Sequence, residues 1–153
     1  MHPNDFKGFS YLELPITEHV YTFVDKATGE PTHIAATTLR LACEASRLQP
    51  ILCEIGDTLV DALKAGALGV EEHHALKLQD SALETPLLVC IWGDSHVLAD
   101  GAHRLWRRWK RGDQSFMAYM VPEPAWRLFT IYDMPGDGSF WDDFNRNAKV
   151  RPE

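Results

Sequence analysis

The sequence predicts an α/β (α+β) fold, a small mixed sheet with helices packed on it, from three observations. Residues 86–92 (PLLVCIW) form an unbroken apolar run of the length of a strand buried on both faces. Stretches with helical spacing at 39–47, 57–83 and 102–111 alternate with short runs of β-type residues. Turn-forming residues at 26–31, 93–95 and 112, and prolines at 50 and 122, separate several of these segments. The length of 153 residues, 45% hydrophobic and 24% charged, is that of one domain able to bury a core. No repeat, low-complexity tract or Ser/Gly linker divides it. The expectation is a single domain with an N-terminal arm at 1–18, a core at about 50–132 and a tail at 133–153.

Taken in order, the arm mixes apolar and turn-forming residues. Residues 19–25 (HVYTFVD) alternate and are rich in β-branched and aromatic types, which predicts a strand, and residues 26–31 supply turn chemistry. Thr37 and Thr38 suit a cap for a helix over 39–47 with Leu39, Ala42, Cys43 and Ser46 on one face, ended by Pro50. Residues 51–55 read as a short strand. Asp57 reads as the N-cap of a helix whose stripe is Leu59, Leu63 and Ala67. A second short helix is expected over 70–78, where Glu71 and Glu72 favour the positive end of the macrodipole. After the apolar run, Gly93-Asp94-Ser95 makes a tight turn and 96–99 returns as a strand. Asp100-Gly101-Ala102-His103-Arg104 leads into a helix over 105–111 that stops at Gly112; 115–121 is the next strand, ended by Pro122 and Pro124. Residues 126–132 are a further strand or short helix, and the tail has Phe140, Trp141 and Phe144 as anchors.

Charge narrows the function classes. With 15 Lys+Arg against 22 Asp+Glu the formal net charge is −7, which excludes a polycation that coats nucleic acid through its overall charge but leaves room for a local basic patch. No apolar run approaches the roughly 18 residues of a membrane span, and the N-terminus lacks a charged-then-apolar signal pattern. Cys43, Cys53 and Cys90 are three, far apart, and do not form a closed disulfide set. These features predict a cytoplasmic domain with buried thiols and no membrane partner.

The chemistry concentrates at residues 100–104. A glycine between strand and helix lets the chain turn sharply, and the first amides of the helix that follows are suited to an anion, phosphate above all. Arg104 adds a charge-assisted fork, His103 a switchable donor near neutral pH, and Asp100 a group that orients His103 or accepts a proton.

In its context of strand, tight turn, strand, DGAHR, helix and strand, residues 84–121 resemble the DGxHR core of the ParB/sulfiredoxin-like superfamily, with a Glu84-x-Pro86 lead-in that is also similar. The resemblance covers about a quarter of the chain. It implies that the turn grips the phosphates of a nucleotide, ATP, ADP or CTP, through Gly101, Ala102, His103 and Arg104. Sulfiredoxins carry their catalytic cysteine where this chain has Ala102, so sulfinic-acid repair is not expected. Complete partition proteins need a long C-terminal half, for which the residues after Val121 leave no space. What the resemblance leaves is a stand-alone ParB-like domain, a type frequent on phages and plasmids.

Plainer readings stand beside these. A Gly-x-His-Arg segment is often only a strand-to-helix connection. His73 and His74 are adjacent on a helix and point about 100° apart, so they suit a solvated surface better than a metal. His33 and His96 lack spaced ligand partners, a structural role is the expectation for each, and no metal motif is present. In the helix from Ala102, the stripe of Ala102, Leu105, Trp106 and Trp109 is core, while Arg104, Arg107, Arg108, Lys110 and Arg111 place five positive charges in eight residues. The plain reading is a solvated face; the functional one has Arg107, Arg108 and Arg111 contacting nucleic acid or an acidic partner. Asp133, Asp137, Asp142 and Asp143 offer carboxylates for Mg²⁺, and residues 135–138 a glycine flap.

The leading expectation is a nucleotide- or phosphate-binding protein. If it is an enzyme, it catalyses phosphoryl transfer or nucleotide/phosphodiester hydrolysis with Asp100 and His103 as acid/base. The alternatives are a nucleic-acid-binding module or nuclease using the helix at 104–111, and a non-enzymatic interaction protein on the same fold.

Overall fold

The computed structural model describes residues 8–25, 27–68, 70, 72–78 and 83–141. Within them the chain is α+β, with a two-stranded and a four-stranded sheet and helices between the strands. The chain groups into two compact units: Leu48–Val121, and Met1–Arg47 together with Pro122–Glu153. The chain leaves the second of these at residue 47 and returns at 122, without a linker composition at either point.

Unit Leu48–Val121 holds β3 (Ile51–Glu54), α2 (Asp57–Lys64), α3 (Glu72–Leu76), β4 (Leu87–Trp92), β5 (Ser95–Asp100), α4 (Ala102–Lys110) and β6 (Ser115–Val121), numbered along the whole chain. The sheet order is β3-β6-β4-β5, antiparallel except for the parallel β6–β4 pair, so it is mixed as expected. Leu87, Leu88, Val89 and Cys90 are all buried, which is why β4 reads as an unbroken apolar run rather than an alternating one. Its Leu87 and Val89 meet Phe116 and Ala118 of β6, and Leu63, Ala75, Leu105 and Trp106 from the three helices, in one apolar cluster. The helices therefore cover the same face of the sheet.

The other unit pairs β1 (Val20–Val24) antiparallel with β2 (Pro31–Ala35), followed by α1 (Ala36–Ala45) and, later, α5 (Glu123–Trp126). Val20, Ala35, Ile131, Met134 and Trp141 form its apolar cluster. Trp141 is thus an anchor as expected; Phe140 is two-fifths exposed and stands edge-on to Tyr11 at 5.6 Å. Residues 126–132, open between strand and helix, continue α5 into a 3-10 turn at Arg127–Phe129 and then bridge Phe9 and Ile34.

Several local expectations are corrected. Thr37 and Thr38 do not cap α1; the helix starts at Ala36, and the buried Glu18 carboxylate accepts from the amides of Thr37 (2.6 Å) and Thr38 (3.1 Å) and from the Thr38 hydroxyl. A carboxylate at a helix N-terminus meets both the open amides and the positive end of the dipole. Pro50 does not end α1 either, because the chain leaves the helix after Ala45 and Arg47 takes a left-handed φ of 59°. In α2 the N-cap is Gly56, with Asp57 the first helical residue, and of the expected stripe Leu63 is buried, Leu59 half-buried and Ala67 exposed beyond the helix end. β2 was hidden behind the turn chemistry at 26–31. Of residues 135–138 the first three are exposed, whereas Gly138 is buried, and a Cβ there would stand 3.0 Å from the His33 ring. His33 itself is buried and bonded to Thr22 Oγ1 at 2.8 Å. Glu71, residues 79–82, Asp142, Asp143 and Phe144 lie outside the described residues, as does the side chain of His74.

Candidate functional site

The DGAHR segment is built from the hairpin that precedes it. β4 and β5 turn through Gly93 and Asp94, and the register slips at their other end: Val89 faces Leu98 while Leu88 faces Asp100. Ala99 is the extra residue of this bulge, a device that re-aims the strand end beside it. Asp100 closes β5. Gly101 then takes φ +110°, caps α4, and accepts from the Leu105 amide at 2.9 Å.

Two independent constraints require glycine there. The left-handed φ disfavours any L side chain, and a Cβ would fall 2.7 Å from Leu87 Cγ on the buried strand β4. The same Cβ position is 3.1 Å from Arg104 Nη2. The Arg104 guanidinium is therefore folded back over the bare face of Gly101, and it stands 3.5 Å from Asp100 Oδ2. Both side chains are mostly covered, at 19% and 29% exposure, so the pair is better sheltered than an ordinary surface ion pair. Gly101, Ala102 and His103 are half-buried at the same helix start, whose first-turn amides point away from the helix body.

Thus the structure brings Asp100, Gly101, Ala102, His103 and Arg104 into one turn. It treats the basic helix face differently. Arg108 Nε donates to the Leu83 carbonyl at 3.1 Å, its Nη2 donates to the same oxygen, and its Nη1 meets Asp113 Oδ2 at 3.1 Å. Arg111 holds Asp113 with both carboxylate oxygens, at 2.9 and 2.8 Å. That pairing, chiefly the hydrogen bonds from Arg111 and then the charges of Arg111 and Arg108, keeps the Asp113 carboxyl below its ordinary value of 3.8. Lys110 lies over the Trp106 and Trp109 rings, 5.5 and 4.9 Å from their centroids. The Nε of Arg107 is buried without a hydrogen bond. Much of the +5 of residues 104–111 is thus tied down locally, and the face is not an open row of cations.

The four-stranded sheet also carries a feature the sequence did not announce: a cleft of about 650 Å³ on its helix-bearing side. Leu59, Leu68, Val89, Leu98, Phe116 and Met120 supply its apolar lining. Cys53, Glu54, Asp57, Thr58, Asp94 and His96 supply the polar one. Leu105 of α4 reaches it, but residues 100–104 do not line it. Its residues come from six elements scattered over the unit, so no local spacing could reveal it. Burial raises the Cys53 thiol above its ordinary value of 9.0, so it is a protonated lining group near neutral pH.

Among the described residues no group of three or more His, Cys, Asp and Glu is arranged to hold a metal ion. Asp133 instead accepts from Ser10 Oγ (2.5 Å) and the Tyr11 amide (2.8 Å), and Asp137 from the Ser139 amide (3.0 Å). No helix among the described residues is long and apolar enough to cross a membrane. No family model matches the chain, and no curated protein or solved structure does.

Proposed function

We propose that unit Leu48–Val121 is a ParB-like phosphate-binding module that takes a nucleotide at residues 100–104. The observation that carries this reading is the Arg104 guanidinium lying over a glycine that cannot bear a side chain, at the first turn of a nine-residue helix. A bare backbone turn, helix amides and a sheltered cation in one place are the elements that recognise phosphate oxygens. The DGxHR resemblance supplies the ligand class, ATP, ADP or CTP.

In this reading Gly101 and Ala102 offer backbone amides and Arg104 neutralises phosphate charge. Asp100 is first of all a positioning residue, because it holds the guanidinium from which Arg104 must reach the ligand. If the bound nucleotide reacts, the His103 imidazole is the group suited to take the proton of the attacking water or hydroxyl, and the Asp100 carboxylate is the alternative base. Mg²⁺ enters this scheme as part of the nucleotide complex, and no step is assigned to it.

Isothermal titration with nucleoside di- and triphosphates in Mg²⁺ buffer tests the proposal. At least one is expected to bind, and Arg104→Ala to weaken it by tenfold or more, about 1.4 kcal/mol. Absence of heat with every nucleotide, or an unchanged affinity in the variant, overturns it.

A further inference from the structure

We propose that the cleft on the helix-bearing side of the four-stranded sheet binds a small apolar ligand carrying a positive charge. Its volume of about 650 Å³ is that of a small-molecule site. Its lining is apolar yet incompletely covered: Leu59, Leu98 and Met120 are only half-buried although they pack on the unit's core. A ligand that removes them from water gains the hydrophobic contribution that folding leaves unused.

The charge of the ligand follows from the polar groups. Glu54, Asp57 and Asp94 all line the cleft, whereas no Lys or Arg is among the described residues that do. Asp57 sits in the first turn of α2, where the helix dipole offsets part of its charge; Glu54, on β3, and Asp94, in the β4–β5 turn, have no such offset. All three carboxylates are exposed and of one sign, so at low ionic strength a cation is attracted to the cleft and an anion is repelled. His96, on β5, adds a ring that in its neutral form accepts a hydrogen bond from an ammonium group. Because residues 100–104 lie outside the lining, this site does not depend on phosphate binding at the turn.

A series of indoles tests the assignment on the full chain: tryptamine as the cation, 3-ethylindole as the neutral analogue that lacks the ammonium group, and indole-3-propionate as the anion. Methyl and amide NMR shifts are followed during titration, with sedimentation velocity across the same concentrations. Tryptamine is expected to shift the methyls of Leu59, Leu98 and Met120 and to bind about tenfold more tightly than 3-ethylindole. The Glu54→Gln/Asp94→Asn double variant is expected to remove most of that advantage while leaving the 3-ethylindole affinity unchanged. Any of four results overturns the proposal: no shifts with all three compounds, shifts mapping elsewhere, equal or tighter binding of indole-3-propionate, or self-association that itself covers these methyls.

Discussion

At Gly101 one residue meets three demands at once. It turns the chain in a left-handed conformation, clears the Leu87 side chain beneath it, and leaves space for the Arg104 guanidinium. Gly101→Ala should therefore cost roughly 1–3 kcal/mol, combining left-handed strain with displacement of a buried leucine. Urea unfolding checks this, and a loss below about 0.5 kcal/mol contradicts the geometry. The need for glycine was legible in the sequence because a Gly between a β-type run and a helical one has few other uses. Its partnership with Leu87 was not, since that contact joins residues brought together only by the hairpin and its bulge. Glu18 makes the same point. Its carboxylate caps a helix that begins 18 residues later in the chain, whereas local spacing pointed to Thr37 and Thr38.

At the scale of elements, strands with one dominant signal were easiest to read. β4 carries an unbroken apolar run and β6 a β-type one bounded by Gly112 and Pro122, and both stand where expected. β2 was missed because it begins at Pro31, and a proline at the first position of a strand looks locally like the end of a turn. In the sequence the basic residues of α4 suit either a solvated face or contact with a partner. In the folded chain Arg108 and Arg111 instead converge on Asp113, and this clamp ties the helix end to the start of β6. Since the folded carboxyl titrates below 3.8, the clamp's stabilisation is complete above that value and is lost as pH falls through and below it. Asp113→Asn should lower stability at pH 7 by at most about 1 kcal/mol, as befits a partly exposed pair. In urea titrations the gap to the parent chain should narrow as pH is lowered through 3.8 and below. A gap that persists or widens in acid contradicts the assignment.

At the scale of the whole molecule, the α+β class and the mixed sheet were legible because they follow from the order of hydrophobic periods. The division into Leu48–Val121 and the flanking segments was not, since it depends on contacts between residues far apart in sequence and no linker marks it. The cleft was hidden for the same reason. Charge has the opposite history: the net −7 is a property of composition, but its meaning is local. The turn at 100–104 has a guanidinium over it, the cleft is lined by carboxylates, and the remaining cations of α4 are largely paired or set against tryptophan. An acidic chain can therefore present one place suited to phosphate and another suited to a cation.

Phosphate recognition at the Asp100-Gly101-Ala102-His103-Arg104 turn is open to ¹⁵N NMR of the full chain during titration with a nucleoside triphosphate and Mg²⁺. Saturable shifts of the Gly101, Ala102 and His103 amides and of the Arg104 Nε resonance are expected, the amide shifts being lost in Arg104→Ala. Shifts confined to other residues, or none with ATP, ADP or CTP, would contradict it.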